Sequence, residues 1–276
     1  MFSSAVQCSA VSGRIRVAVL GLGEAGGRLA ADLAALGVSV TGFDPADSSE
    51  PVGVERAATA VGAVAGAAAV LSVNSARAAA GVAREVAGAL AGVEVYADLN
   101  TGPPALKTAV AAALGPAAAL LADVALLAPV PERGLATPAL AAGSGADAFA
   151  RLFAPLGMPV EVVPGEPGAA AERKLLRSVF TKGWAAAIGE SLAAARAAGC
   201  EEWLRANIEA TVAAADAVFV ERLVAGSSRH AVRRVDEMDA ACALLAALGV
   251  EPRVAAAAAA QLRELAAAAR ESPVRR

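Results

Sequence analysis

Histidine, cysteine and aromatic side chains are scarce in this sequence of 276 residues. It contains one histidine, His230, together with three scattered cysteines and 3% aromatic residues. A zinc site or another His/Cys metal site needs several such ligands close together, so we expect no metal. Three scattered cysteines give no disulfide framework, which is typical of a reducing compartment, and we expect a cytoplasmic protein. His230 lies at a polar helix start, where we expect a solvated or capping role.

A strong charge of one sign is also absent. The formal net charge is −3 and no basic block occurs, which argues against nucleic acid as a main partner. The mean hydropathy of +0.55 reflects mostly alanine, and Gly or Pro interrupts the long uncharged runs. We therefore expect a soluble protein without membrane contact. The first 13 residues lack the basic start and apolar core of a secretory signal, and we expect a disordered tail over residues 1–13.

A glycine-rich turn follows the first apolar run of the chain. Residues 15–20 are typical of a buried strand, and Gly21, Gly23 and Gly26 then follow as G-x-G-x-x-G before a helical pattern. The first glycine permits a tight turn, the second lets a pyrophosphate approach the backbone, and the third lets helix and strand pack closely. The helix N-terminus offers free N–H groups to the phosphates. The predicted cofactor-binding residues of this turn are Gly21, Leu22, Gly23, Glu24, Ala25 and Gly26.

An acidic residue ends the second predicted strand. Asp44 follows residues 38–43 and lies 18 residues beyond Gly26 (44 − 26), close to the spacing at which a carboxylate binds a ribose 2′-hydroxyl. Because a carboxylate repels a 2′-phosphate, Asp44 favours NAD, although Arg56 could fold back and admit NADP. The alternative interpretation is a structural glycine turn followed by a loop aspartate, since Asp-Pro commonly starts a turn.

Strand and helix patterns alternate over the first half of the chain, which predicts a doubly wound parallel sheet of the Rossmann type. Ligands bind at the carboxyl ends of such strands. That edge would carry Asp44, the pair Asn100-Thr101, and Val73 with Asn74, which we add to the predicted cofactor site. The further strands are predicted at residues 69–73, 93–97, 118–124, 139–145 and 160–163.

The strand signals end at a Pro- and Gly-rich boundary, residues 164–168. We therefore predict an α/β fold, with a Rossmann domain over residues 14–166 and an all-α domain over residues 167–276, joined by a long helix. The predicted helices of the second domain cover residues 169–198, 201–223, 230–248 and 251–270.

The long helix carries a row of polar side chains. Lys174, Ser178 and Lys182 recur at i, i+4 and i+8 and share one face. A lysine at the start of a helix that leaves the dinucleotide domain can reach its ligand edge and act there as a general acid or base. The structural alternative is a solvated basic row, because Arg173 and Arg177 lie beside it.

Four strings of the sequence together span most of residues 14–250. They are VLGLGEAG from residue 19, YADLNTGP from residue 96, KLLRSVFTKG from residue 174 and RVDEM from residue 234. In this order and spacing they resemble the β-hydroxyacid dehydrogenase superfamily, which is related to 6-phosphogluconate dehydrogenase. The second half resembles the branch with a phosphogluconate-dehydrogenase-like C-terminal domain. The resemblance implies an NAD-binding Rossmann domain, a helical domain that pairs in a homodimer, and a small-molecule substrate.

The resemblance also implies roles for individual residues. The family's catalytic lysine falls on Lys174, and Ser178 replaces its companion asparagine. The family's Asp-x-Ser-Thr substrate motif matches residues 98–101, with Asn100 in place of Ser and with Thr101 retained. A Ser-Gly-Gly segment after a strand-end aspartate should fall near Asp123, where this sequence has apolar residues instead. The substitution suggests a more apolar or differently shaped pocket.

We therefore predict an NAD(P)-dependent dehydrogenase or reductase that acts on CH–OH groups. It would transfer hydride between nicotinamide and a hydroxy acid or a related alcohol or carbonyl substrate, with Lys174 as general acid/base. Asn100, Thr101 and Ser178 would position the substrate, and Lys182 is a further candidate contact. Imine reduction is the alternative reaction. A dinucleotide-binding protein without turnover is the alternative class.

Overall fold

The structure is a computed structural model that describes residues 15–46 and 51–271. The tail predicted over residues 1–13 lies outside the described residues. The chain divides into two compact units, the first ending at Arg177 and the second beginning at Ser178. The predicted domain limits, 14–166 and 167–276, stay a prediction.

The first unit contains one sheet of eight strands: β1 (Arg16–Leu20), β2 (Ser39–Phe43), β3 (Glu55–Arg56), β4 (Ala69–Ser72), β5 (Val95–Asp98), β6 (Leu121–Leu126), β7 (Ala139–Ala142) and β8 (Val160–Val162). Their order in the sheet is β3-β2-β1-β4-β5-β6-β7-β8. Neighbouring strands are parallel, except that β6 and β7 are antiparallel. The order of the first six strands is that of a doubly wound dinucleotide-binding sheet, which confirms the predicted Rossmann fold.

Apolar cores cover both faces of this sheet. Successive residues of β1 alternate between them: Val17 and Val19 belong to one core, whereas Ala18 and Leu20 belong to the other. Burial on both faces explains why the parallel strands have continuous apolar sequences. The helices of the unit are α1 (Glu24–Ala35), α2 (Ala60–Val64), α3 (Ala79–Val86), α4 (Pro104–Leu114), α5 (Val130–Arg133) and α6 (Ala146–Phe153).

From Ala169 on, the described residues form five helices: α7 (Ala169–Ala197), α8 (Glu201–Ala213), α9 (Ala217–Arg229), α10 (Ala231–Ala247) and α11 (Arg253–Glu271). The prediction of one helix over residues 201–223 is wrong. The Asp216 side chain accepts a hydrogen bond of 2.8 Å from the N–H of Phe219 and begins a new helix there. His230 lies between α9 and α10, as a capping residue of both. In the described part of the chain, no helix is both long and apolar enough to span a bilayer.

The predicted strand at residues 118–124 is shifted in the structure. A 3₁₀ turn over Gly115–Leu120 contains Pro116, and β6 begins only at Leu121. Apolar character alone cannot distinguish such a turn from the strand that it precedes. As a result Asp123, expected near a strand end, lies in the middle of β6 and is fully buried.

Candidate functional site

A cleft of about 870 Å³ opens at the carboxyl ends of β1, β2, β4 and β5. β1 and β4 are neighbours between which the direction of strand order changes, and this is where open α/β sheets bind ligands. The cleft brings together most of the sequence-predicted site residues: Gly21, Gly23, Glu24, Ala25, Asp44, Val73, Asn74, Asn100, Thr101 and Lys174. Ser178 and Lys182 lie one and two turns beyond Lys174 along α7 and belong to the second unit.

The three glycines of the turn differ in whether the fold itself requires a residue without a side chain. Gly21 has φ +102°, and a Cβ atom there would collide with the carbonyl oxygen of Val73. A Cβ atom at Gly26 would collide with the carbonyl oxygen of Gly21. Gly23 has an ordinary φ of −64°, and a Cβ there would meet no described atom within 4 Å. The fold itself therefore requires Gly21 and Gly26, whereas Gly23 leaves open space at the start of α1, where a pyrophosphate can approach.

Asp44 is joined to the glycine turn. Its Oδ2 accepts a hydrogen bond of 2.7 Å from the N–H of Leu22, and its Oδ1 accepts one of 2.9 Å from the N–H of Ala46. Each carboxylate oxygen has a second lone pair, so the group can still accept from ribose hydroxyls. The guanidinium of Arg56 donates to the carbonyl oxygens of Asp44 and Ala46, at 3.0 and 2.6 Å, and thus lies beside the segment that carries Asp44.

Lys174 and Thr101 meet at the cleft. Nζ of Lys174 donates a hydrogen bond of 3.1 Å to Oγ1 of Thr101. Lys174 lies in the second turn of α7, and Thr101 lies in the loop after β5. Lys174 is half-buried and Thr101 is exposed, so the contact remains accessible to a small molecule.

Two amide side chains at the cleft have a fixed orientation. Nδ2 of Asn100 donates to Oγ of Ser72 at 3.1 Å and to the carboxylate of Asp98. Nδ2 of Asn74 donates to the carbonyl oxygen of Leu20 at 3.2 Å and to Ser72 at 3.3 Å. Within the described chain, the Oδ1 atoms of both amides are buried without a hydrogen-bond partner. Since buried polar atoms are normally paired, a ligand with N–H or O–H donors suits these positions.

A buried ionic cluster lies beside the cleft, and the sequence interpretation missed it. Nζ of Lys107 is 3.0 Å from the carboxylate of Asp98 and 3.4 Å from that of Asp123, and all three side chains are fully buried. One signal was present in the sequence: Lys107 shares a helical face with Val110 and Leu114, which is the face that α4 buries.

The segment after β6 gives the cleft an apolar wall. Leu126, Ala128 and Val130 line it where the sequence lacks the expected Ser-Gly-Gly. Arg28 of α1 donates to the carbonyl oxygen of Pro131 at 2.9 Å, which ties the segment to the helix that follows the glycine turn.

Residues 195–265 match the family described as Domain of unknown function (DUF1932). Among curated proteins, none matches the chain significantly. A conserved hypothetical protein from Sinorhizobium meliloti 1021 is 29% identical, with a TM-score of 0.60, 94% of this chain covered and 91% of that one. Conserved protein MTH1747, described as structurally similar to 3-hydroxyacid dehydrogenases, is 27% identical, with a TM-score of 0.59 and coverage of 92% and 98%.

An imine reductase from Myxococcus stipitatus has the same fold. Its V8 variant in complex with NAD⁺ is 21% identical, with a TM-score of 0.75 and coverage of 92% and 94%. The same enzyme was also solved in complex with NADP⁺. The chain is thus similar to the DUF1932 family over residues 195–265, and its fold is similar to that of MTH1747 and of the imine reductases. This confirms the resemblance that the sequence motifs indicated.

Proposed function

We propose that the protein is an NAD(P)-dependent oxidoreductase in which Lys174 is the general acid/base. The observation that carries the proposal is the hydrogen bond between Lys174 and Thr101, made at the same cleft as the glycine turn. A proton-transferring group and a dinucleotide-type turn at one strand edge are the two parts that such a reaction needs. The nicotinamide complexes of the structural neighbours support the cofactor class.

A nicotinamide dinucleotide, when bound, supplies or accepts a hydride. The residues of this chain suited to hold it are the glycine turn with the N-terminus of α1 for the pyrophosphate, Asp44 for a ribose, and Asn74 through its unpaired Oδ1. Lys174 takes up or returns the proton of the substrate's oxygen. Asn100 and Thr101 orient the substrate by hydrogen bonds, and orientation supplies a large part of a rate enhancement. Ser178 and Lys182 stay proposed substrate contacts from the sequence pattern alone.

Asp44 supports NAD over NADP. Its carboxylate lies at the end of β2, and a 2′-phosphate beside it would meet charge of the same sign. Arg56, which donates hydrogen bonds to the carbonyl oxygens of Asp44 and Ala46, is the feature that keeps NADP as the second choice.

The substrate that we propose first is a hydroxy acid or a related alcohol or carbonyl compound, as the lysine at position 174 suggests. Imine reduction is the second candidate, and the apolar wall of Leu126, Ala128 and Val130 favours it, because a hydrophobic amine needs no anion anchor. In that case Lys174 would exchange its proton with the substrate's nitrogen.

We also propose that the protein is a homodimer. Every described residue that is buried in the second unit is an alanine: Ala194, Ala195, Ala231, Ala255, Ala259 and Ala266. Meanwhile Trp203 of α8 and Val218 of α9 are 67% and 72% exposed. Large apolar surfaces on a monomer are typical of protein–protein contacts, and a second copy would cover them.

The first experiment is a substrate screen with both cofactors in both redox states. Hydroxy acids would be tested with NAD⁺ and NADP⁺, and the corresponding keto acids and cyclic imines with NADH and NADPH, using the wild type, Lys174→Ala and Lys174→Arg. The arginine variant keeps the positive charge but cannot release its proton, so it separates charge from proton transfer. We expect both variants to bind NADH like the wild type and to lose turnover by roughly a hundredfold or more.

The outcomes of the screen distinguish the candidates. Turnover of cyclic imines alone would favour imine reduction, and tight NADH binding without turnover of any substrate would favour a dinucleotide-binding protein. Full activity of Lys174→Arg would contradict the acid/base role. Light scattering would test the dimer: Val218→Glu should dissociate it, whereas Val52→Glu, at an exposed position of the first unit, should not.

A further inference from the structure

Lys107 joins two segments of the candidate site that are far apart in the sequence. Its Nζ donates to the carbonyl oxygens of Asp98 and Asn100, both at 2.8 Å, and is 3.0 Å from the Asp98 carboxylate. These contacts hold the chain from the end of β5 to the residue before Thr101.

The same ammonium also reaches the start of α7. It lies 3.4 Å from Oδ1 of Asp123, whose Oδ2 accepts hydrogen bonds from the N–H groups of Gly168, Ala170 and Ala171 at 2.9, 3.1 and 3.1 Å. The first N–H groups of a helix have no hydrogen-bond partner within the helix, and here the buried carboxylate of Asp123 is that partner. Asp123 therefore fixes where α7 begins, one turn before Lys174.

Stability alone does not account for this arrangement. Taking charged groups out of water is expensive, and well-packed apolar residues often replace a buried ion pair without loss of stability. Lys107 is 1% exposed and Asp98 and Asp123 are 0% exposed, so the full cost of desolvation applies. What an apolar residue cannot do is bind two carbonyl oxygens of a loop and two carboxylates at once.

We propose that Lys107 is a positioning residue that sets the distance between Oγ1 of Thr101 and Nζ of Lys174. Thr101 comes directly after Asn100, whose carbonyl oxygen accepts a hydrogen bond from Lys107. Lys174 lies one turn after the helix start that Lys107 holds through Asp123, and the two side chains meet in the hydrogen bond described above. The inference rests on the proposed role of Lys174. It adds that this role depends on a buried side chain that does not line the cleft.

The test compares Lys107→Met with Val110→Ala. Val110 is the next residue on the buried face of α4 and belongs to the apolar core, so its truncation is a matched control for lost core stability. Three lysines occur in the chain, Lys107, Lys174 and Lys182, so selective ¹³C labelling of lysine gives few NMR signals, and the Lys174→Ala variant assigns one of them. Amide hydrogen exchange at Ala170 and Ala171 reports the start of α7, and calorimetry reports NADH binding.

We expect the side-chain signal of Lys174 to move toward that of a solvated lysine in Lys107→Met and to stay in place in Val110→Ala. Exchange at Ala170 and Ala171 should accelerate by roughly tenfold more than in the control, since a helix start opens locally when its cap is weakened. The dissociation constant of NADH should change by less than about twofold, because the glycine turn is not touched.

An unchanged Lys174 signal in Lys107→Met would overturn the proposal. If that variant does not fold, Asp123→Asn decides instead, because it keeps an oxygen for the helix start but removes the charge that Lys107 binds. It should show the same changes, and native-like signals and exchange in it would contradict the inference. Failure of the proposed function gives different results. A wild type that binds neither NADH nor NADPH would refute the oxidoreductase, and turnover that persists in Lys174→Arg would refute the acid/base role. Neither result changes the NMR and exchange measurements that test the positioning role of Lys107.

Discussion

Lys174 and Thr101 are 73 residues apart in the sequence and form a direct hydrogen bond of 3.1 Å between Nζ and Oγ1. The threonine hydroxyl is an acceptor for the ammonium, and it can at the same time donate to a substrate oxygen. The pair is therefore able to bind a substrate hydroxyl or carbonyl through Thr101, close to the ammonium of Lys174 with which the substrate would exchange a proton.

Thr101→Val removes this acceptor while keeping the side-chain volume. We expect kcat/KM to fall by roughly tenfold or more, since a hydrogen bond to a charged group is worth about 1.5–3 kcal/mol. Thr101→Ser keeps the hydroxyl and should retain most of the activity. Steady-state kinetics of the two variants with the best substrate of the screen make the comparison. Equal activities would mean that the hydroxyl has no role.

Gly23 should matter for the cofactor and not for the fold. Gly23→Ala puts a methyl group into open space, so we expect the free energy of unfolding to change by less than about 0.5 kcal/mol. The methyl group would block a pyrophosphate, and NADH binding should weaken by tenfold or more. Urea unfolding and calorimetry test the two statements.

Gly21→Ala and Gly26→Ala are the matched variants for this prediction. Both create collisions with backbone oxygens, and Gly21 also has a φ that other residues rarely adopt. We expect each to destabilise the protein by about 1–3 kcal/mol. Unchanged NADH affinity in a stable Gly23→Ala protein would contradict a pyrophosphate at this turn.

Asp44 should control the choice between NADH and NADPH. Asp44→Asn keeps an oxygen acceptor for the N–H of Leu22 and removes the negative charge. We expect NADH affinity to fall by roughly tenfold and NADPH affinity to rise, since the charge repulsion at the 2′-phosphate disappears. Calorimetric titration of both cofactors measures the ratio. A wild type that prefers NADPH would show that Arg56 outweighs Asp44.

The sheet and the glycine turn with Asp44 were predictable, because both depend on local sequence. The apolar pattern of the strands, the spacing of the glycines and the position of Asp44 are each signals contained within about 20 residues of sequence. Because ligands bind at the carboxyl ends of parallel strands, Asn74, Asn100 and Thr101 could be placed at one edge of the sheet from their positions after predicted strands. The helical pattern predicted the long helix that carries Lys174, and the resemblance added the catalytic role expected of that lysine.

What could not be predicted depends on pairing across long sequence distances. Nothing local says that Lys107 lies between two carboxylates, one of them 16 residues later in β6 (123 − 107). The break at Asp216 was missed for a different reason: alanines on both sides fit a helix, so only the capping geometry reveals the start of α9. The shift of β6 similarly follows from a turn whose apolar residues are compatible with a strand.

Tyr96 makes the stability of the fold sensitive to alkaline pH. It is the one tyrosine of the chain and its side chain is fully buried in β5. Burial raises its pKa well above the ordinary value, and the nearby carboxylate of Asp98 adds to the effect. The unfolded chain therefore loses this proton near pH 10, while the folded protein keeps it to higher pH.

The sign of the effect follows from proton counting. The stabilisation is fully present below the unfolded pKa and is lost as the pH rises from about 10 toward the folded pKa, by up to about 1.4 kcal/mol per pH unit. Tyr96→Phe cannot lose this proton, so its stability should fall less steeply above pH 10 than that of the wild type. Urea unfolding of both proteins at a series of alkaline pH values measures the difference in slope. Because there is a single tyrosine, tyrosinate absorbance gives an independent check: ionisation of the native protein near pH 10, as in a free tyrosine, would contradict the prediction.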